Sequence, residues 1–304
     1  VRDFLNERIH RELFLAAFGG NVGATEPWVT DRLTALLEEQ ACRAGETLYA
    51  AGDPPESYYF LRQGRVDLVG KGSSPWSYRG PSVFGMSDAL LERPRRRTAV
   101  AVTEIQAMKV ASEAWIELLE DSFPLARAAV LGTVRVVADL EARFWATEVL
   151  QTRRASLRSP LGATLDVIER LAVLAEAPLL RGAGVQTLSD LAASSEVTRF
   201  TAGEVVLRRG VSTGRVHLLL EGGVEATRAS PDVRWLGGPG DLVCGVAAFG
   251  DAVDAWEARA LTPGRALTFR VTDWFDLMEE HFDMVRSTLG ALSLQREELV
   301  ERLP

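Results

Sequence analysis

Short apolar runs, broken by glycine and proline, make up most of this chain. Tyr58-Tyr59-Phe60-Leu61 reads as a strand, and Gln63-Gly64 turns it into Arg65-Val66-Asp67-Leu68-Val69, where apolar and polar positions alternate. Thr98–Val102 and Ile105–Val110 read as further strands. Thr47-Leu48-Tyr49 is a shorter one, followed by a Gly-Asp-Pro-Pro turn at Gly52–Pro55. Lys71–Pro75 is another turn. Many short strands with regular glycine turns predict an antiparallel barrel or jelly roll. The spacing then becomes helical: Trp115, Leu118 and Leu119, followed by Val130, Val134, Val137, Leu140 and Phe144. Helices are also predicted ahead of each roll, over Trp28–Gln40 and Leu161–Ala175.

The whole pattern occurs twice. Ala44-Gly45-Glu46-Thr47-Leu48-Tyr49-Ala50-Ala51-Gly52 matches Ala202-Gly203-Glu204-Val205-Val206-Leu207-Arg208-Arg209-Gly210, a shift of 158 positions (44 to 202). The same shift carries Tyr58–Val66 onto Val216–Val224. Trp115–Phe123 matches Trp274–Phe282 one position later, and Arg127 and Arg286 keep that register. A one-residue change belongs in the hairpin loops between, where insertions are tolerated. The chain is therefore a duplication, with domains expected at 1–150 and 151–304. The unit is too long for a solenoid repeat.

Composition agrees with two globular domains. The 304 residues are 47% hydrophobic and 25% charged. No apolar run is long enough for a membrane span, and the start, Val1–Arg8, is charged and amphipathic, with no signal-peptide core. Cys42 and Cys244 are the only cysteines and lie far apart, which suggests buried thiols in a reducing compartment. The cytoplasm is the expected location. The formal net charge is −8, against the basic face that phosphate neutralisation gives most DNA-binding proteins, so no nucleic-acid partner is expected. Lysine is nearly absent, with only Lys71 and Lys109, so an anion site here would rely on arginine.

The order of elements resembles the cyclic nucleotide-binding domain family. The motifs that carry the resemblance are the Ala-Gly-Glu…Gly start, the Phe-Leu-x-x-Gly-x-Val hairpin, and Phe84-Gly85 with Pro94-Arg95 downstream. It covers nearly the whole chain, once per repeat. It implies a mainly β fold with helices: two tandem double-stranded β-helix (jelly-roll) domains joined by a long α-helix. Two rolls in tandem look like the regulatory subunits of cyclic-AMP-dependent kinase more than like single-roll bacterial transcription factors. The implied function is regulatory and non-enzymatic.

In that family a cassette between two strands holds the cyclic phosphate. Phe84-Gly85-Met86-Ser87-Asp88-Ala89-Leu90-Leu91-Glu92-Arg93-Pro94-Arg95-Arg96-Arg97-Thr98 keeps its spacing, and the resemblance puts Arg95 on the phosphate-binding arginine. A buried anion needs a bidentate cation and backbone N–H donors at a helix N-terminus, here expected at Ala89-Leu90-Leu91. The ligand site is therefore expected at Phe84, Gly85, Met86, Ser87, Asp88, Ala89, Arg95, Arg96 and Thr98, with cyclic AMP or cyclic GMP as the ligand and no further cofactor or metal. Two residues depart from the pattern. Met86 replaces the glutamate that binds the ribose hydroxyl, a loss of roughly 1.5–3 kcal/mol. Asp88 replaces a small alanine beside the phosphate, and it can cap the short helix or pair with Arg95. An equal alternative makes Arg95–Arg97 a solvated basic loop.

The second cassette, Cys244–Ala255, has lost both anchors. Val246 stands for the glutamate and Ala255 for the arginine, with Glu257 adding negative charge. A phosphate buried there would go unpaired, so this roll is expected to be a pseudo-site. His217 falls at an apolar strand position and reads as a core or edge histidine. His10 and His281 lack metal-ligand spacing.

The connector Ala128–Gln151 is an apolar-striped helix that either self-associates, meets a protein partner or packs within the chain. Arg153-Arg154-Ala155-Ser156 resembles a basic-directed kinase site, a weak motif. Leu289–Pro304 reads as the second hinge helix, leaving no length for a helix-turn-helix. No Ser/His/Asp set, phosphate loop with lysine or placed carboxylate pair suggests catalysis. Phe18–Gly23 is a glycine-rich loop without a strand–helix frame. The two alternatives to a sensor are a ligand-independent adaptor and, less favoured, a transcriptional regulator.

Overall fold

The computed structural model describes residues 35–71, 74–145, 164–177, 180–211, 213–229, 232–243 and 256–302, together with positions 32, 157 and 162. The glycine-rich loop at Phe18, the end of the connector, Ser156 and the second cassette at Cys244–Ala255 lie outside these residues.

The first roll contains β1 (Glu38–Cys42), β2 (Thr47–Tyr49), β3 (Ser57–Gln63), β4 (Arg65–Val69), β5 (Trp76–Arg79), β6 (Ser82–Phe84), α1 (Met86–Leu90), β7 (Thr98–Ala101) and β8 (Ile105–Ala111). Then come α2 (Ser112–Asp121) and α3 (Phe123–Trp145). Two helices, α4 (Val167–Glu176) and α5 (Val185–Ser194), precede the second roll. That roll is built from β9 (Glu196–Phe200), β10 (Val205–Leu207), β11 (Arg215–Glu221), β12 (Val224–Ala229), β13 (Asp232–Gly237), β14 (Leu242–Val243), β15 (Trp256–Ala260) and β16 (Gly264–Arg270). Helices α6 (Val271–Glu280) and α7 (Phe282–Arg302) follow.

Each roll is two four-stranded antiparallel sheets. The orders are β1-β8-β3-β6 with β2-β7-β4-β5, and β9-β16-β11-β14 with β10-β15-β12-β13. Adding eight to each strand number converts the first pair into the second. The irregularities repeat as well: the register shifts between Leu61 and Gln63 and between Leu219 and Glu221, and again between Thr47 and Tyr49 and between Val205 and Leu207.

The Ala-Gly-Glu motif has a physical reason. In both copies the glutamate side chain accepts from the backbone N–H three residues upstream, Arg43 to Glu46 and Thr201 to Glu204, each at 2.8 Å. The glycine N–H donates across to Ala101 or Ala260 at 2.7 Å. The hairpin glycines are equally constrained. Gly64 and Gly222 have φ of 95° and 85°, and a Cβ on Gly64 would collide with the Glu104 carbonyl oxygen.

Inward-facing positions of paired sheets form each core. In the first, Tyr49, Tyr59, Leu61, Val66, Phe84 and Ile105 are buried together; in the second, Phe200, Leu207, Leu219, Val224, Val243 and Ala266. Trp115 and Trp274 are both buried, each edge-on to a strand phenylalanine, Phe60 and Phe269. A cross-strand swap keeps volume constant. Tyr58 faces Val110 in the first roll, and Val216 faces Phe269 in the second.

Three expectations shift. Glu38–Cys42 is strand, not the end of a helix: it pairs with β8 from Glu38↔Lys109 to Cys42↔Ile105, and those ladder hydrogen bonds outweigh the helical propensity of Glu and Gln. The helix expected from Leu161 begins later, at Val167, where Asp166 and Glu169 form a reciprocal capping box. Helix α5, β5 and β13 were not anticipated. The connector starts at Phe123, and Leu125, Ala129, Val130, Val134 and Val137 on it are buried.

The chain divides into two compact units. One holds the first roll, to Thr133, together with Ser293–Arg302; the other spans Val134–Leu292. Among the described residues no helix is long and apolar enough to cross a membrane.

Candidate functional site

Strand β6 delivers Phe84 into an aromatic cluster. Its ring stacks on Tyr59 at 5.1 Å, with Tyr78 at 5.7 Å and Tyr49 at 6.5 Å. Gly85 then leaves the strand with φ 86° and caps α1. A side chain there would be strained, and its Cβ would lie 3.4 Å from Arg95 Nη1. The short helix therefore starts at Met86, three residues earlier than its sequence suggested.

Arg95 lies beneath this turn and is 3% exposed. Its Nη1 donates to the Gly85 carbonyl and its Nη2 to the Ser57 carbonyl. The guanidinium stands 4.2 Å from the Tyr49 ring centroid. Its buried Nε has no hydrogen-bond partner among the described residues. The backbone of Arg95 is fixed too: its N–H donates to Asp53 O and its carbonyl accepts from Gly52. Burial raises the pKa of Tyr49 and of Tyr59, with the Arg95 charge opposing, so both phenols stay neutral.

A second set of cations faces a carboxylate. Arg93 Nε donates to Asp88 Oδ1 at 2.9 Å, and its Nη2 reaches both Glu297 oxygens at 2.6 Å. Arg96 Nη1 donates to Glu297 Oε2 at 3.2 Å. Burial alone would lower the Arg93 pKa, but the hydrogen bonds to Glu297 and Asp88 win and raise it. The Glu297 side chain is 5% exposed. Arg97, also buried, stacks 3.9 Å from the Trp76 centroid and donates to the carbonyls of Leu68 and Ser74. Its Nη2 lies 3.7 Å from Glu301. Arg296 donates to the Tyr78 hydroxyl at 2.8 Å. All these residues belong to the compact unit of the first roll, which includes Ser293–Arg302.

Together they border a cleft. Of the residues expected from sequence, Gly85, Ser87, Asp88 and Arg96 line it; Phe84, Met86, Ala89, Arg95 and Thr98 do not. The Thr98 hydroxyl accepts from Ala51 N–H instead. Asp88 neither caps α1 nor pairs with Arg95; it holds Arg93. Its carboxylate shares the Arg93 guanidinium with Glu297. Tyr49, Trp76, Tyr78, Arg97, Arg296 and Glu297 also line the cleft. Arg93 does not line it but pairs with two residues that do, Asp88 and Glu297. Sequence reasoning missed Arg93 and Glu297. The available signal was Glu297 and Glu301, four apart and so on one face of the last helix.

In the second roll, His217 occupies the position of Tyr59 and is buried, donating to or accepting from Thr268 Oγ1 at 2.9 Å. Burial, with the nearby Arg215 charge, lowers its pKa to about 4. It is a core histidine. Among the described residues no group of His, Cys, Asp and Glu can hold a metal ion.

Comparison with known proteins gives these features a context. The cyclic nucleotide-binding domain model matches residues 39–122 and again 197–281. A cAMP-dependent protein kinase regulatory subunit from Aspergillus niger is 27% identical over 100 residues, 32% of this chain and 24% of that protein. The corresponding protein of Colletotrichum orbiculare is 30% identical over 95 residues, 31% of this chain and 24% of that one. The matched stretch thus spans about a quarter of the length of these relatives. Among solved structures, the regulatory subunit of a cAMP-independent protein kinase A from Trypanosoma brucei, in a mutant bound to cAMP, is 15% identical. It covers 94% of this chain and 88% of that one with a TM-score of 0.38. With the model matched in both repeats and the roll seen twice, the chain belongs to the cyclic nucleotide-binding domain family.

Proposed function

We propose that this chain is a non-enzymatic regulatory module whose first roll is an anion sensor and whose second roll is a pseudo-site. The reading rests on one observation: the first cassette buries a carboxylate between Arg93 and Arg96. Carboxylate and phosphate present the same planar pair of acceptors to a guanidinium fork, so a cleft that buries one is chemically suited to the other. Arg95, buried under Gly85, adds positive potential beneath the turn. Met86 supplies no acceptor for a ribose hydroxyl, so a cyclic nucleotide would bind weakly, through its phosphate and the aromatic wall of Trp76 and Tyr78. By residue type, Val246 and Ala255 offer no such anchors in the second cassette.

The kinase regulatory subunits among its relatives suggest a protein partner, met through helical surfaces. Ligand-driven control requires that the ligand bind one conformation better than another. Calorimetric titration with cyclic AMP and cyclic GMP tests the sensor reading. We expect weak binding that Arg93→Ala and Arg95→Ala each reduce. No heat and no thermal shift with either nucleotide would leave the adaptor reading in its place.

A further inference from the structure

We propose that Glu297 is a tethered occupant of the first roll's anion site, so that an organic phosphate binds only by displacing the end of the C-terminal helix. This rests on the reading of the cassette as an anion site and adds its regulation. Three features carry it.

First, the carboxylate is nearly inaccessible and takes its hydrogen bonds from arginines of the cassette itself, Arg93 and Arg96. Asp88 aims Arg93 by holding its Nε and leaving Nη2 for the occupant. Second, the helix end is fastened mainly by polar groups. Arg296 meets Tyr78, and Glu301 faces Arg96 and Arg97 at 3.8 and 3.7 Å. Leu299 is the buried apolar anchor in Ser293–Arg302. A contact dominated by ion pairs is one that a competing anion can replace; an apolar seam is not. Third, Glu301 lies in the last turn of the helix, where the dipole disfavours a negative charge unless cations compensate. Releasing the helix end therefore transfers that compensation to the ligand. Apparent affinity is the intrinsic affinity multiplied by the fraction of chains with the site open, so the occupant sets the ligand threshold.

The test is hydrogen exchange of the backbone over residues 293–302, with and without saturating cyclic AMP, in the wild-type chain and in Glu297→Gln, alongside calorimetric affinities. We expect cyclic AMP to speed exchange in this segment of the wild type. Glu297→Gln should show the faster exchange without ligand and bind cyclic AMP about 10- to 100-fold tighter, since it removes charge-assisted hydrogen bonds from the closed form alone. Glu297→Asp, which keeps the charge but shortens the reach, should fall between. If wild type and Glu297→Gln bind equally, or cyclic AMP saturates the wild type without speeding exchange, the tethered-occupant idea fails while the anion-site reading stands. If neither chain binds any nucleotide, the anion-site reading itself fails, and the inference with it.

Discussion

The two rolls share a scaffold and differ where a ligand would sit. Strand for strand, their sheets have the same order, the same bulges and the same glutamate-capped turn. The three tyrosines around the first cassette, in contrast, are not repeated. By the strand registers, Tyr49, Tyr59 and Tyr78 correspond to Leu207, His217 and Gly237. Trp76, on which Arg97 stacks, corresponds by register to Trp235, which packs with Trp256 against the second core. Where the first roll sets a cation on this indole, the second sets its indole against the core. Duplication preserved what the fold requires, namely backbone hydrogen bonds and core volume. It left free what only a ligand would constrain.

The largest effects should be equal in both rolls. Leu61→Ala and Leu219→Ala each remove a side chain with no exposed surface. Each should cost about 2–5 kcal/mol in urea unfolding. A markedly smaller loss in either roll would break the claim of a common scaffold.

Acid should expose the first difference. His217 stays neutral in the folded chain, with a pKa near 4 against about 6.5 unfolded. The unfolded form then binds the extra proton, so stability is full above pH 6.5 and falls as pH drops towards 4, by about 3 kcal/mol. His217→Tyr, which installs the residue found at Tyr59, should remove that slope in a pH series of thermal melts.

Arg95→Ala strands the Gly85 and Ser57 carbonyls and should cost about 1–3 kcal/mol, felt in the first roll alone. The smallest effect is again symmetric: Glu46→Ala and Glu204→Ala each remove one turn hydrogen bond, about 0.5–1.5 kcal/mol by thermal melting.

The fold was legible because its determinants are local and occur twice. Period-2 alternation at Arg65–Val69 matches β4 residue for residue, and the Gly64 and Gly222 turns lie where the repeat placed them. Strand β1 was hidden because Glu-Glu-Gln-Ala-Cys carries no alternation of its own; its partner β8 decides its conformation. At the site, sequence spacing located the turn at Gly85 but not the direction in which each arginine points. Arg95 turns inward to backbone carbonyls, and Arg93, two residues earlier, meets the carboxylate. That choice depends on Glu297, some two hundred positions away, and no local pattern encodes it.

The most direct test of the asymmetry between the rolls is the calorimetric stoichiometry of cyclic AMP on the Glu297→Gln chain. The account predicts one site per chain, abolished by adding Arg93→Ala. Two sites per chain, or a single site untouched by Arg93→Ala, would contradict it.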